Sequence, residues 1–170
     1  MHKKAALLGK NIPFVEAAHY GGRQRPTSIL IRTSWTTGDG GAANGIAQAW
    51  HNPNNRVDSC HYVVDEKQTI RCVPDKLEAF HSGSDYKGTV CINVCHNPPV
   101  PPKDTIVFRT AKLTARLCKL YRIPVRILSI SEEQRWIKHS WKSRGGIILK
   151  TAGDFPIQKF LASVEAEQKQ

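Results

Sequence analysis

Several side chains that can do chemistry lie at the ends of short apolar runs. Arg32 ends one such run, and its charge needs a partner because burying a lone charge is costly. Cys60 precedes a second apolar run, and histidines follow at His81 and His139. Cysteine and histidine are both competent zinc ligands, and a cysteine beside a histidine can also act as a nucleophile. These residue types allow either chemistry, whereas a packed strand thiol is the plainer interpretation of Cys60.

The elements that must position these residues are predicted from apolar periodicity and from turn residues. We expect strands at 28–33, 60–65, 69–73, 90–95 and 124–129, and helices at 42–50, 104–121 and 156–167. Strands alternate with helices, and one local hairpin joins two of the strands. This order predicts an α/β domain with a mixed central β-sheet flanked by helices. We expect a single domain over residues 28–170, preceded by a loop-rich lead-in segment over residues 1–27.

Alternation along each strand predicts which side chains share a face. Leu30 and Arg32 are expected on one face of the first strand. In the second strand, Cys60 is expected to share a face with Tyr62, and His61 on the opposite face is expected to be a hydrogen-bonded core residue. If Cys60 faces the same cleft as Arg32, the two regions can meet in one site.

Composition limits the class of protein. The chain has 170 residues, five cysteines and a net charge of +11, which suits one soluble domain. No apolar run approaches the roughly 20 residues that span a bilayer. An odd number of cysteines in apolar segments, with no CxxC pair, indicates reduced buried thiols. The basic charge is scattered and not interleaved with aromatic residues, so nucleic acid is not the expected partner.

An ordered series of short motifs runs through most of the chain. Its members are ILIRT at 29–33, WHNP at 50–53, SCHYVVD at 59–65, AFHSG at 79–83, CINVC at 91–95, YRIPV at 121–125 and KTAGDFP at 150–156. In this order they resemble the zinc-dependent N-acetylmuramoyl-L-alanine amidases of the bacteriophage lysozyme and peptidoglycan recognition protein superfamily. The resemblance covers roughly residues 14–162. It implies the single-domain amidase fold and peptidoglycan as the target.

The resemblance also implies a metal site. In that family zinc is held by a histidine that ends the first strand, by a later histidine, and by a cysteine or aspartate before a Pro-Gly. The fourth position is left to a water molecule that the metal activates. Here Arg32 stands at the first ligand position, His139 matches the second, and Ala152 stands at or next to the third. A guanidinium has no lone pair for zinc and alanine has no ligand atom, so the implied site is degenerate and zinc is the only cofactor it suggests.

Other positions carry over less completely. Asn93 stands where many members have a catalytic glutamate, and Lys150 keeps the basic residue that precedes the third ligand. His81 matches a substrate-facing histidine. Asp154 could replace the third ligand only if its loop shifted. Cys60 takes a position where relatives often place a cleft tyrosine, so Cys60, His81 and His139 could together rebuild a zinc site.

Substrate contacts are predicted at three further positions. Arg32, if it lies in the cleft, would bind a carboxylate of the stem peptide by charge-assisted hydrogen bonds. Trp35 could stack on a sugar face, and Arg144 could contact stem-peptide carboxylates from a glycine-rich turn.

Two functions follow from the resemblance, and a third does not depend on it. The first is an active amidase of the phage endolysin type, which cleaves the amide between N-acetylmuramic acid and L-alanine. The second is a catalytically inactive pseudo-amidase that binds peptidoglycan or another anionic partner in the retained groove. The weakest is a basic domain for nucleic acid or protein. We expect a monomer without a signal peptide, made in the cytoplasm and acting at the bacterial cell wall or periplasm after release.

Overall fold

A mixed five-stranded β-sheet forms the centre of the protein. The computed structural model describes residues 12–34, 36, 39–55, 57–81, 87–140, 144–151 and 154–170, without the side chains of residues 139 and 140. The strands are β1 Tyr20–Arg23, β2 Ser28–Thr33, β3 Tyr62–Val64, β4 Thr69–Arg71, β5 Leu77–Ala79, β6 Thr89–Val94 and β7 Ile147–Lys150. The helices are α1 Ala42–His51, α2 Asp104–Tyr121, α3 Ile130–Arg135, which continues as a π-helical turn over Trp136–Ser140, and α4 Ile157–Gln168.

Parallel pairing brings the carboxyl ends of four strands to one edge of the sheet. The strand order is β4-β3-β6-β2-β7, in which β2 runs parallel to β6 and β7, and β3 runs parallel to β6. The edge strand β4 is antiparallel to β3. A separate small sheet pairs β1 with β5, so part of the lead-in segment packs on the domain. In parallel sheets, functional side chains collect beyond the carboxyl ends of the strands.

Apolar side chains cover both faces of the sheet. Ile29 and Ile31 point to one face, where they pack in a buried cluster with residues of α2 and α4. Leu30 points to the other face and packs with residues of α1 and with Trp136. This alternation is the one expected for β2, and it places Arg32 on the same face as Leu30. None of the helices that the structure describes is long and apolar enough to cross a bilayer.

The mixed α/β fold and the main elements confirm the sequence prediction. β2 and α2 have the predicted bounds. The segment 124–129 was wrongly predicted as a strand. Its pairing is confined to one bridge between Ile127 and Ile147, because Pro124 lacks a backbone donor and the segment touches only the end of β7. The strands β1, β5 and β7 and the helix α3 were not predicted, because segments of three to six residues leave little periodicity to detect.

The shared face of Cys60 and Tyr62 was also wrongly predicted. β3 begins only at Tyr62, because the preceding backbone turns aside and Ser59 donates to the Phe80 carbonyl at 2.9 Å. Cys60 therefore packs with Leu30 on the α1 face, whereas Tyr62 lies on the α2 face. The consequence is that Cys60 does lie on the face that carries Arg32.

Candidate functional site

Three polar residues lie side by side at the carboxyl edge of the sheet. Arg32 near the end of β2 is in register with Asn93 on β6 and with Lys150 on β7. Successive parallel strands lie about 4.8 Å apart, so the three positions form one row across the sheet. Arg32, Asn93 and Lys150 were singled out from the sequence separately, and the sheet brings them together.

The Arg32 side chain is bound within the protein. Its Nε donates to Asn93 Oδ1 at 3.1 Å, and its Nη2 donates to the Asp58 carboxylate at 3.2 and 3.4 Å. The guanidinium carbon also lies 5.9 Å from the centre of the Trp50 ring. With 15% of the Arg32 side chain and 22% of the Asp58 side chain exposed, the pair is largely shielded from water. The positive charge at the end of β2 is thus matched by a carboxylate of the same chain.

The second cation of the row is matched in the same way. Lys150 Nζ lies 2.8 and 3.0 Å from the two carboxylate oxygens of Glu133, whose side chain is buried. Glu133 is held by α3, where Ser129 forms a capping box with Glu132. The Lys150 side chain is 45% exposed and the Arg32 side chain is 15% exposed, so Lys150 is the more accessible of the two cations.

Sequence reasoning missed Asp58 and Glu133. The buried position of Arg32 did indicate that a counter-charge was needed, but no spacing identified which carboxylate supplies it. Glu133 lies in a helix of six residues that the periodicity did not reveal.

The family resemblance places Asn93 at a position where many members carry a glutamate. Its Oδ1 accepts the hydrogen bond from Arg32, and its Nδ2 is buried without a hydrogen-bond partner among the described residues. An amide can donate and accept hydrogen bonds but cannot take a proton from water at neutral pH. The arrangement therefore gives Asn93 a part in holding Arg32.

Cys60 lies next to Arg32 in a fully buried position. Burial, followed by a hydrogen bond with the Cys91 thiol, raises the pKa of Cys60 well above its ordinary value. Burial alone would lower the pKa of Arg32, but the two cysteines and Asp58 outweigh it and hold that pKa above its ordinary value. A thiol must ionise to attack a substrate or to bind zinc, so this environment disfavours both. The catalytic and metal-binding roles of Cys60 stay predictions.

His81 is a buried neutral histidine in the same region. Its Nε2 lies 3.3 Å from the hydroxyl of Thr89. Burial, helped by the positive charges of His61 and Arg32, lowers the pKa of His81 to about 3. A neutral imidazole can donate or accept one hydrogen bond at each ring nitrogen, according to its tautomer. His81 therefore stays uncharged at physiological pH.

The remaining predicted site residues do not join this cluster, or lie outside the described part. The Asp154 carboxylate lies 3.1 Å from Nε2 of the buried His96. Arg144 is exposed before the amino end of β7, beside a depression of about 230 Å³, and Lys150 ends the same strand. Trp35, Ala152 and the His139 side chain lie outside the described residues, so their roles and the convergence of His139 with Cys60 and His81 stay predictions.

The residues that are described do not fit the zinc site implied by the resemblance. The side chain at the first ligand position is an ion-paired guanidinium, which cannot donate a lone pair. The described side chains do not include that of His139. Among them, no group of three or more His, Cys, Asp or Glu residues could hold a metal ion. The side chains around the end of β2, Asn93 and Asp58, accept hydrogen bonds from the Arg32 guanidinium.

Comparison with known proteins agrees with this architecture. A family described as N-acetylmuramoyl-L-alanine amidase matches residues 22–146, which is well over half of the chain. No curated protein sequence matches at a significant level.

Solved structures of the same fold come from several bacteria. A mutant endolysin from Bacillus subtilis is 17% identical, with a TM-score of 0.63 over 91% of this chain and 98% of that one. The Staphylococcus aureus hydrolase AmiA in complex with its ligand is 12% identical, with a TM-score of 0.67 over 93% of this chain and 83% of that one. The endolysin amidase LysCS from Clostridium intestinale is 10% identical, with a TM-score of 0.60 over 92% and 96%. At these identities the likeness shows the fold, and the family match shows that the chain belongs to the N-acetylmuramoyl-L-alanine amidase family.

Proposed function

We propose that this protein binds muramyl peptides of peptidoglycan at the carboxyl edge of its sheet and does not carry out zinc-dependent hydrolysis. The observation that carries the proposal is the Arg32 guanidinium, held by Asp58 and Asn93 at the position where the family resemblance implies a zinc ligand. Membership of the amidase family supports peptidoglycan as the target. The protein then acts at the bacterial cell wall as a binding module.

Electrostatics argue against a metal ion beside Arg32. Two unit charges 4 Å apart interact by about 4 kcal/mol at an effective dielectric constant of 20, so a divalent cation would be repelled by roughly twice that amount. Asp58 offsets part of this repulsion, but its carboxylate is already bound to the guanidinium. Zinc ligands at the remaining positions would have to overcome the part of the repulsion that Asp58 does not offset.

The chemistry of hydrolysis also lacks a base in this row. By the family resemblance, Asn93 stands where many members carry a glutamate, and its amide has no basic lone pair at neutral pH. Without a metal or a carboxylate at this position, a water molecule beside Asn93 would keep its ordinary pKa and would be a poor nucleophile. The same residues can still hydrogen-bond the amides and carboxylates of a stem peptide.

Lys150 is the cation of this edge best suited to contact the ligand. The prediction that Arg32 binds a stem-peptide carboxylate loses support, because Asp58 already neutralises that guanidinium. Lys150 is paired with Glu133, but its side chain is 45% exposed and an ammonium group has three donors. We assign the carboxylate contact to Lys150.

The test is a pair of measurements on purified sacculi. We expect the protein to pellet with sacculi and to release no new L-alanine amino termini, with or without a zinc chelator. The variant Lys150→Ala should pellet several-fold less than the wild type, and Lys169→Ala, which removes an exposed lysine from the chain end, should pellet normally.

Release of amino termini would overturn the proposal, and the chelator would identify the alternative. Chelator-sensitive release means a working metal site and directs attention to Cys60, His81 and His139 as ligands. Release that ignores the chelator means a cysteine nucleophile or cleavage of a different bond. Failure to pellet, without release, removes peptidoglycan as the target.

A further inference from the structure

A depression lined by three arginines lies at the amino edge of the sheet, at the end of β7 away from Lys150. Its volume is about 230 Å³, and its described lining is Arg126, Leu128, Glu132, Arg135, Trp136, Arg144 and Gly145. Gly145 precedes β7, whereas Lys150 ends that strand. At about 3.3 Å per residue, the five residue steps between them amount to roughly 16 Å. The depression is therefore separate from the row that contains Arg32.

The three arginines come from three different segments of the chain. Arg126 adjoins Ile127, whose bridge to Ile147 brings that loop beside β7. Arg135 is the last residue of α3, and Arg144 lies just before β7. Tertiary packing, and not a run of basic sequence, brings the three side chains to one place.

The floor of the depression is closely packed. A Cβ atom at Gly145 would collide with Ser28 Oγ and would lie 3.0 Å from the Trp136 ring, so a larger residue does not fit there without a shift. The Trp136 side chain itself is buried. Arg135 adjoins Trp136 in the chain, and Arg144 adjoins Gly145. The packed floor therefore fixes the backbone positions from which these two arginines extend.

The lining of the depression carries a net positive charge. Three arginines stand against one carboxylate, that of Glu132, so the described lining has a net charge of +2. Arg126 Nη1 donates to Glu132 Oε1 at 2.6 Å, and the Ser129 amide donates to Glu132 Oε2 at 2.8 Å. The Ser129 amide, followed by Arg126, lowers the pKa of Glu132 to about 2. Both carboxylate oxygens are thus already bound, and Glu132 holds Arg126 in place.

Guanidinium groups in this arrangement suit a doubly charged oxoanion. Each guanidinium presents its donors in a planar fork that matches two oxygens of a phosphate or a carboxylate. Arg135 and Arg144 are exposed and the Arg126 side chain is 50% exposed, so a ligand can reach all three from solvent. A phosphate monoester carries a charge of about −1.5 to −2 at pH 7, which balances that of the lining. Pockets that enclose a whole organic ligand measure roughly 300–1,000 Å³, so this smaller depression suits one anionic group.

We propose that this depression binds a dianionic phosphate group, either free phosphate or the phosphomonoester of a small organic molecule. Arg135 and Arg144 donate hydrogen bonds to its oxygens, and Arg126, held by Glu132, adds a third positive charge. The site goes beyond the peptidoglycan binding proposed above, because it lies at the other edge of the sheet and does not depend on that function.

Calorimetric titration of the full chain at low salt and pH 7.5 tests the site, with glycerol 3-phosphate and inorganic phosphate as probes. The variant Arg135→Gln/Arg144→Gln removes two charges from the depression. The control Lys119→Gln/Lys169→Gln removes two exposed charges, one from α2 and one from the residue after α4. We expect the first variant to lose tenfold or more in affinity for the tighter probe and the control to stay within twofold. The tighter probe identifies whether the phosphate is free or esterified.

A second pair of substitutions separates geometry from charge. Arg135→Lys/Arg144→Lys keeps the net charge but replaces two planar forks with single ammonium groups. We expect this variant to bind phosphate several-fold more weakly than the wild type, because an ammonium group cannot contact two oxygens as a fork does.

The charge of the ligand provides a further test. The second proton of a phosphomonoester has a pKa near 6, so about a quarter of glycerol 3-phosphate is dianionic at pH 5.5, and its apparent affinity should fall about fourfold from pH 7.5. The described lining contains no histidine and Glu132 stays ionised, so this change comes from the ligand. Methyl sulfate, an oxoanion of single charge, should bind at least tenfold more weakly at pH 7.5.

Four results would overturn the proposal. Equal losses in the glutamine variant and in the lysine control would mean that net charge alone attracts the probes. Methyl sulfate bound as tightly as glycerol 3-phosphate would mean that the site does not require a dianion. Succinate bound as tightly would make the depression a dicarboxylate site. Absence of binding by both phosphate probes at millimolar concentration would remove the site altogether.

Discussion

The two basic regions of this protein differ in how their charges are compensated. At the carboxyl edge of the sheet, Arg32 is paired with Asp58, and Lys150 is paired with Glu133. A groove of about 390 Å³ lies between α2 and the β3–β4 turn, and its described lining includes four basic residues, Lys67, Arg109, Lys112 and Arg116, and no acidic one. A buried charge without a partner would unfold the region around it, whereas an exposed one costs little. The ion pair of the largely buried Arg32 therefore supports the fold, whereas the exposed cations Lys150 and Lys112 remain accessible from solvent.

We expect the largest effect when Arg32, the cation paired with Asp58, is replaced by a metal ligand. We expect Arg32→His combined with Ala152→Cys to retain zinc after dialysis, at about one ion per chain, whereas the wild type retains none. Asp58 then remains to accept a hydrogen bond from the new histidine, an arrangement common behind zinc-bound histidines. Metal content by emission spectroscopy measures the change. Zinc at 100 times its dissociation constant should also stabilise the variant by about 2.7 kcal/mol.

One control variant defines the meaning of that result. Arg32→Gln with Ala152→Cys removes the same charge but supplies one ligand fewer, and it should retain no zinc. If the histidine variant also retains none, Arg32 and Ala152 do not occupy the ligand positions that the family resemblance assigns to them.

Removal of the carboxylate that compensates Arg32 should be the most destabilising single change. Asp58→Ala leaves the guanidinium without its counter-ion. Breaking a buried ion pair costs about 3–5 kcal/mol, and partial exposure of this pair reduces the expected loss to about 2–3 kcal/mol. Urea denaturation measures it.

The matched control is Asp39→Ala, which breaks an exposed ion pair with Lys103 and should leave the melting temperature nearly unchanged. The double variant Arg32→Met/Asp58→Leu removes both charges and should recover most of the stability. A stability loss in that double variant equal to the loss in Asp58→Ala would mean that lost packing, and not the unpaired charge, explains the effect.

Acid should introduce a buried positive charge at His61. His61 is fully buried, its Nδ1 accepts from the Cys91 amide at 2.9 Å, and burial lowers its pKa to about 4. The unfolded chain, with an ordinary histidine pKa near 6.5, binds the proton more readily between these values. Stability should therefore fall as the pH drops below about 6.5, by about 2 kcal/mol from this histidine at pH 5, and the loss is complete below the folded pKa.

Urea denaturation at pH 7 and at pH 5 measures the acid effect. His61→Gln, which keeps a hydrogen-bonding side chain without a titrating group, should lose about half of the pH dependence even if it is less stable at pH 7, because the buried His81, with its pKa lowered to about 3, supplies the rest. A wild type equally stable at both values would mean that His61 can be protonated in the folded protein.

The difference between local patterns and distant contacts explains what the sequence could predict. The apolar run before Arg32 predicted β2 with its correct bounds, and the physics of burial predicted that Arg32 needs a partner. The identity of that partner was not predictable, because Asp58 is 26 positions away in a segment without periodicity. The face of Cys60 was wrongly predicted because alternation was extended into residues that hydrogen-bond outside the strand.

The basic groove beside α2 was not predictable from the sequence. The net charge of +11 was evident, but it looked scattered because Lys67 and the basic residues of α2 are far apart in the chain. Only the docking of α2 beside the β3–β4 turn concentrates these charges in one place. Charge clusters formed by tertiary packing are visible in the structure and not in the order of residues.

The smallest expected effect tests whether the groove cations oppose folding. Lys112 is exposed and lies at i+3 from Arg109 and at i−4 from Arg116 on the same helix. Like charges at such spacings destabilise a helix by about 0.2–0.5 kcal/mol per pair. Lys112→Gln should therefore stabilise the protein by about 0.5 kcal/mol at low salt, and Lys76→Gln should leave the stability nearly unchanged. The gain in thermal stability should vanish at high salt, because screening removes the repulsion. Destabilisation by Lys112→Gln would mean that this lysine supports the fold, and the groove would then resemble the compensated edge beside Arg32.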